Sequence, residues 1–224
     1  NGAEKDKIKR VTNLGTVGWT SLNSAFYGCP NLTEFTAGST DTSSVTSCFA
    51  MFSGCSGLTS LDLSNLDTSL VTDMQYMMSG CSGLTSVNVA GLFNTALVTD
   101  MRQMFKDCSL LTSIDVSSFD TSSSGSMYSV FRNCTGLTSI VGVEDWDITG
   151  LNNTSDLTQF LTSGKMTTAQ YDNLLIKWEA QTVFSGMTTA FGASKYTGGG
   201  AAATARQDLI DIDGWSISDG GIAP

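Results

Sequence analysis

The stretch that decides the fold, Val45 to Leu63, reads VTSCFAMFSGCSGLTSLDL, and the chain repeats it at a nearly constant interval. Close copies are VTDMQYMMSGCSGLTSVNV (71–89) and VTDMRQMFKDCSLLTSIDV (98–116), and more divergent copies lie at 19–35 and 125–143. One cysteine marks the same position in every copy, with separations of 26, 26, 27 and 26 residues. A fixed period of this length is typical of a solenoid, in which each unit buries its apolar face against its neighbours.

Each unit has two halves with different periodicities. In the copy at 71–89, apolar residues recur at helical spacing through Val71, Met74, Met78 and Cys81, and Gly80 would end a helix of about two turns. The following LTSVNV alternates apolar and polar residues, which indicates a strand. We therefore expect each unit to consist of a short helix, a tight turn, a short strand and a return loop.

Composition excludes several classes of function. The chain has 224 residues, a net charge of −10 and no histidine. The charge argues against nucleic acid or an anionic membrane surface as the main partner, because both attract clustered Lys and Arg. The missing histidine removes His-based catalytic triads and His-ligated metal sites. No apolar run approaches the length that spans a bilayer. No cofactor is expected. The first residue is Asn1 and not methionine, which indicates a processed or excised product.

The cysteines are expected to be reduced. Since Cys29, Cys55, Cys81, Cys108 and Cys134 share one repeat position, they should form a buried column about 5 Å apart, the spacing of neighbouring strands. Cys48 stands at a position that methionine fills in other units, so it is a core residue as well. Six cysteines in a secreted chain would otherwise suggest a disulfide framework. Buried reduced thiols favour folding in a reducing compartment.

Residues 155–224 have a different composition from the repeats at 1–154. Two helices are predicted at 167–181 and 201–210, with a glycine-rich loop between them and a short strand at 215–218. A solenoid must cover its exposed end, because open edges pair with other chains. We expect this segment to be the cap.

Two surfaces are candidate binding sites. The exposed strand positions would form one open face, consisting of Glu34, Ser60, Asp62, Ser64, Ser86, Asn88, Ser113, Asp115 and Ser117. Its Ser and Asp side chains could hydrogen-bond a glycan or hold cations, or simply form a solvated surface. The second candidate is the cap loop, where exposed Phe184, Phe191 and Tyr196 would be a natural contact site.

The return loops carry a ladder of acids and amides, Asp41, Asp67, Asn94, Asp120 and Asp147. Such a column could bind a hard cation such as calcium. Alternatively, each side chain closes an Asx turn onto its own backbone. The second interpretation is favoured, and no metal site is predicted.

The unit closely resembles the 26-residue repeat of the BspA-like branch of the leucine-rich repeats, a family of bacterial surface proteins. The resemblance lies in Val71-Thr72-Asp73-Met74, Val98-Thr99-Asp100-Met101, the cysteine column and the LTS strands, and it covers the chain from about Ile8 to Gly221. The resemblance implies an adhesive or scaffolding role, and it carries no catalytic residues.

The predicted fold is thus an α/β, right-handed leucine-rich-repeat solenoid of about six short helix–strand coils with a C-terminal helical cap. The predicted function is a non-catalytic recognition or adhesion module, displayed outside the cell on a bacterial surface or a phage virion. Its ligand would be a protein or glycan on a host or neighbouring cell. The alternative is a structural tile or decoration protein that packs against copies of itself.

Overall fold

A computed structural model of the chain describes residues 4–15 and 17–224, so residues 1–3 of the predicted repeat domain and Thr16 lie outside the described residues. The regular elements are short. The strands are β1 (Arg10–Val11), β2 (Glu34–Phe35), β3 (Ser60–Asp62), β4 (Ser86–Asn88), β5 (Ser113–Asp115), β6 (Ser139–Val141), β7 (Thr188–Ala190) and β8 (Ser216–Ser218), and the helices are α1 (Thr168–Glu179) and α2 (Ala201–Asp211).

The strands pair in parallel at the repeat interval. Ser60 lies beside Ser86 in the β3–β4 pair, and Ser113 beside Ser139 in the β5–β6 pair. In β3 and β5 the central residue is buried, as Ile114 is, while its two neighbours are exposed. Equivalent residues of successive units therefore lie next to each other along a stack.

The short helix predicted in each unit is wrong. Residues 48–55 form two successive tight turns, in which Met51 N–H donates to the Cys48 carbonyl (3.1 Å) and Cys55 N–H to the Phe52 carbonyl (3.0 Å). The intervening Ala50 and Gly54 have left-handed φ values of 51° and 76°. A left-handed residue in every turn is incompatible with an α-helix of L-residues.

Hydrogen bonds to the next unit explain why turns replace the helix. Cys48 N–H donates to the Asp73 carbonyl at 3.0 Å, and Phe52 N–H donates to the Met77 carbonyl at 2.8 Å. Alternate N–H groups thus bond outside the unit, whereas a helix would bond them all within it. The turns bury residues three or four apart, as a helix face does, so the apolar spacing did not distinguish the two structures.

The cysteine column forms the centre of the stack, and the prediction of reduced thiols is confirmed, since all six cysteines are free and buried. Cys55 Sγ donates to the Phe26 carbonyl at 2.9 Å, and Cys134 Sγ repeats this contact with the Phe105 carbonyl at 3.0 Å. Burial raises the pKa of Cys55 to about 12. These thiols are core groups with a hydrogen-bonding function and are protonated at neutral pH.

The sequence repeat ends near residue 155, whereas the stack of hydrogen-bonded segments continues. Phe131 N–H donates to the Phe160 carbonyl (2.9 Å), Leu161 N–H to the Ala190 carbonyl (2.8 Å) and Phe191 N–H to the Ser218 carbonyl (2.7 Å). Strand β7, which the sequence analysis did not predict, is part of this continuation. The segment after residue 155 therefore extends the stack as well as carrying helices.

Helices α1 and α2 lie where the two C-terminal helices were predicted. A capping box between Thr167 and Gln170 begins α1. A partly buried ion pair connects the elements of the C-terminal segment. Asp219 accepts from Arg206 Nε at 2.8 Å and from the Tyr171 hydroxyl at 2.7 Å, and its side chain is only 3% exposed. This contact joins α1, α2 and the chain after β8.

Candidate functional site

The strand face is polar, and its side chains mostly hydrogen-bond within the protein. Asp62 Oδ1 accepts from Ser64 N–H and from Asn88 Nδ2, both at 3.0 Å. Asp115 Oδ1 accepts from the N–H (3.0 Å) and the hydroxyl (2.6 Å) of Ser117, and these bonds lower the pKa of Asp115. The carboxylates thus have internal donors, which weakens the case for a ligand here.

All nine predicted residues of this face lie at the surface, and Ser64 alone among them is half-buried: Glu34, Ser60, Asp62, Ser64, Ser86, Asn88, Ser113, Asp115 and Ser117. A shallow cavity of about 160 Å³ separates β4 from β5 and is lined by Asn88, Ala90, Asp115 and Ser117, among others. This is the junction where the repeat has its extra residue. It is smaller than a typical small-molecule site.

The predicted cap-loop site is wrong for Phe191, which is fully buried with its ring 5.0 Å from the ring of Tyr171. It follows β7, where the stack turns its side chain inward. Tyr196 is half-buried beneath the Arg206 guanidinium, 5.0 Å from its ring centre. Phe184 is exposed, at 40%. The three aromatic residues therefore do not form one contact surface.

A different surface brings aromatic side chains together. Tyr27, Phe49 and Tyr76, with Ala50 and Ser53, line a groove of about 390 Å³, called here the aromatic groove. The rings of Phe49 and Tyr76 meet edge to face with centroids 5.7 Å apart. Tyr27 is 59% exposed at the rim. This groove lies on the tight turns, away from the strand face.

The turn backbone holds the groove in place. Ala50 N–H donates to the Gln75 carbonyl and Tyr76 N–H to the Arg102 carbonyl, both at 2.9 Å. Tyr76 has a φ of 57°, which is costly for a bulky residue. Because each turn bonds to the next, the conformation of Tyr76 is fixed from both sides, and the aromatic rings are presented from a rigid support.

Hydrogen-bonding side chains lie beside the rings. Gln103 Nε2 donates to the Tyr76 hydroxyl at 3.3 Å, and Arg102 Nη2 donates to Gln75 Oε1 at 3.1 Å. Arg102 also forms an ion pair with Asp100 at 2.6 Å, which raises the pKa of the guanidinium. Farther along the stack, Arg102 and Tyr128 line a second depression of about 310 Å³.

Sequence reasoning missed the aromatic groove. It assigned this half of the unit to a helix and placed its two candidate binding sites on the strand face and in the cap loop. A signal was available, because Tyr27 and Phe49 occupy repeat positions that hold polar residues in most other units. Aromatic residues at positions not needed for stacking indicate a surface with another role.

The Asx-turn interpretation of the ladder is confirmed. Oδ1 of Asp67 accepts from Ser69 N–H at 2.9 Å, Asn94 contacts Ala96 N–H at 2.8 Å, and Asp120 has the same arrangement. Within the described chain, no group of three His, Cys, Asp or Glu side chains is placed to hold a metal ion. None of the helices in residues 4–15 and 17–224 is long and apolar enough to cross a membrane.

Comparison with known proteins gives one family. The sequence profile of the family described as "Mycoplasma protein of unknown function, DUF285" matches residues 2–91 and again residues 85–198. No curated protein and no solved structure matches the chain.

Proposed function

We propose, from the premise that this chain belongs to the DUF285 family, that it is a non-catalytic recognition module. In this proposal it is displayed outside the cell, on a cell surface or a virion, and binds a ligand on a host or neighbouring cell. The observation that carries the proposal is the aromatic groove. Aromatic side chains dominate binding hot spots, and exposed rings on a rigid support lose little entropy on binding.

The proposal extends to the architecture. We take the stack to be a right-handed solenoid of the BspA-like leucine-rich-repeat type, with residues 155–224 as its capping segment. The parallel pairing of β3 with β4 and of β5 with β6 at a 26-residue interval supports this architecture. Such a stack is a rigid scaffold, and sites on the loops of rigid scaffolds often have a binding role.

A cell-binding assay tests the recognition function. The fluorescently labelled chain is added to a panel of bacterial and animal cells, with Tyr27→Ala and Phe184→Ala as matched variants. Both substitutions remove an exposed aromatic ring, but only Tyr27 lines the groove. We expect saturable binding to at least one cell type that Tyr27→Ala weakens and Phe184→Ala does not. If no cell in the panel binds the chain, the recognition function is refuted.

The structural tile is the second candidate function, and one observation favours it. Beyond α2, Ile212 and Ile222 are 76% and 60% exposed, and β8 pairs with β7 along one edge. A second copy could cover these apolar side chains by extending the stack. Light scattering over a range of concentrations tests this candidate. A tile assembles into regular particles, which Ile222→Glu should disrupt, whereas a recognition module scatters as a single small species.

A further inference from the structure

We infer that the aromatic groove is a binding site for a neutral glycan, an inference that rests on the proposed recognition function and names its ligand class. A pyranose ring has one face of C–H groups and a rim of hydroxyls. The groove matches both features. The rings of Tyr27, Phe49 and Tyr76 suit the apolar face, and Ser53, which also lines the groove, is a hydrogen-bonding partner for the hydroxyls. Pockets of this kind combine aromatic walls with a few polar groups that fix orientation.

The size of the groove favours a sugar over a protein. Its volume of about 390 Å³ falls within the usual range for small-ligand sites, roughly 300 to 1,000 Å³. A stable protein partner would instead need about 800 Å² of buried surface on each side. A ligand that inserts one or two rings between the aromatic side chains fits the groove better than a broad protein surface does.

The charge of the chain and of the groove lining favours a neutral ligand. The chain carries a net charge of −10, yet the residues that line the groove, Tyr27, Phe49, Ala50, Ser53 and Tyr76, carry none. The positive charge beside it, Arg102, is held by Asp100 at 2.6 Å. An acidic sugar would find no cation among the lining residues and would enter the field of an acidic protein. Neutral hexoses meet no such penalty.

Amide groups next to the groove supply hydroxyl partners. Gln75 accepts from Arg102 through Oε1, and Gln103 donates to the Tyr76 hydroxyl through Nε2. These bonds fix both carboxamides while using one end of each. The Nε2 of Gln75 and the Oε1 of Gln103, which lie outside the lining of the groove, thus provide a donor and an acceptor for the hydroxyls of a ligand that extends past Tyr76.

The second depression suggests a longer ligand. Tyr76 and Tyr128 belong to units separated by one other unit, so they lie about 10 Å apart along the stack. Arg102 stands between them and lines the second depression with Tyr128 and Asn153. A linear oligosaccharide that runs along the stack would place two of its sugars on the two aromatic sites.

The backbone of Tyr76 guides the choice of the test variant. Its left-handed φ of 57° is shared by the equivalent residues of the neighbouring units, Ala50 and Gln103, so the repeat requires this conformation whichever side chain is present. The variant Tyr76→Asn removes the ring and keeps a residue that tolerates this conformation, so it separates binding from folding.

The test is an array of neutral pyranose oligosaccharides, with sialylated and sulfated oligosaccharides printed beside them, followed by calorimetry with the best neutral binder. We expect neutral oligosaccharides to bind, and Tyr27→Ala and Tyr76→Asn each to lower the affinity about tenfold or more, the usual size of a hot-spot loss. Phe184→Ala is the control and should leave the affinity unchanged. Circular dichroism confirms that each variant is folded.

The outcomes separate this inference from the proposed function. If no neutral oligosaccharide binds while the chain still binds cells after glycosidase treatment, the ligand is a protein and the glycan inference is overturned. Affinity that survives both groove substitutions, or that falls in Phe184→Ala, also overturns it. If an oligosaccharide binds at the groove but no cell binds the chain, the glycan site stands and the cell-surface role fails.

Discussion

Substitution of Gly83 by alanine tests whether the units stack as closely as the structure indicates. A Cβ atom at Gly83 would lie 2.4 Å from the Ser56 carbonyl oxygen and 3.1 Å from the Leu58 carbonyl oxygen of the preceding unit. Close carbon–oxygen contacts in proteins normally lie at about 3.3 to 3.6 Å. Both partners are backbone atoms, so the units must move apart by about 1 Å.

The expected cost follows from two opposing effects. Forcing an extra methyl group into a packed contact costs about 1 to 3 kcal/mol. Replacing a glycine by alanine lowers the conformational entropy of the unfolded chain, which stabilises the folded state by about 0.4 to 1 kcal/mol. The net loss should be about 1 to 2 kcal/mol, which corresponds to a fall in melting temperature of about 2 to 8 °C for a chain of this size.

Gly125→Ala is the matched control. There the nearest atom to an added Cβ is the Thr99 carbonyl oxygen at 3.7 Å, an ordinary contact. The control should be as stable as the parent or slightly more stable. Urea unfolding and thermal melts followed by circular dichroism measure both variants, and hydrogen exchange at Thr85 N–H reports the local effect, because this group donates to the Thr59 carbonyl at 2.9 Å. If Gly83→Ala is at least as stable as Gly125→Ala, the close stacking of units is refuted.

Three further predictions concern other parts of the chain. Thiol reagents should leave the native protein unmodified at pH 8, and the free energy of unfolding should fall between pH 9 and 12 by about 1.4 kcal/mol per pH unit for a thiol such as Cys55. The reason is that this thiol ionises near its ordinary pKa of 9.0 in the unfolded chain and near 12 in the folded chain. Urea titrations that show no loss of stability at alkaline pH would contradict the burial of this thiol. Asp219→Asn removes the charge that faces Arg206 and should cost about 1.5 to 3 kcal/mol, with Tyr171→Phe nearer 1 kcal/mol; limited proteolysis should then cut the C-terminal segment first. Asp120→Ala should lower the melting temperature more than Asp120→Asn does, since asparagine keeps the turn acceptor and loses only the charge. Hydrogen bonds from Ser122 lower the pKa of Asp120, so its contribution should be present above pH 3.8 and lost as the pH falls through the folded pKa; equal melting temperatures for the two variants would refute the turn assignment.

Much of the core was determined by the sequence. The interval between cysteines placed Cys55 and Cys81 at equivalent positions, and the structure gives both the same contact, a thiol hydrogen bond to a carbonyl of the preceding unit. Each predicted LTS strand formed, although it begins at the serine and not at the leucine, as β3 does at Ser60. The helix at 167–181 formed as α1 with its capping box. These features depend on local pattern and on repetition, which a sequence carries directly.

The tertiary structure alone decided the turns and the candidate site. Apolar residues three and four apart suit a helix, and they also suit paired turns whose alternate N–H groups bond to the next unit, as those of Cys48 and Phe52 do. The choice depends on hydrogen bonds between residues 25 apart, which no local pattern encodes. The same turns bring Tyr27, Phe49 and Tyr76 from three different units into one groove. Their proximity exists only because the units are stacked, and this is why the sequence directed attention to the strand face while the folded chain places its aromatic surface on the turns.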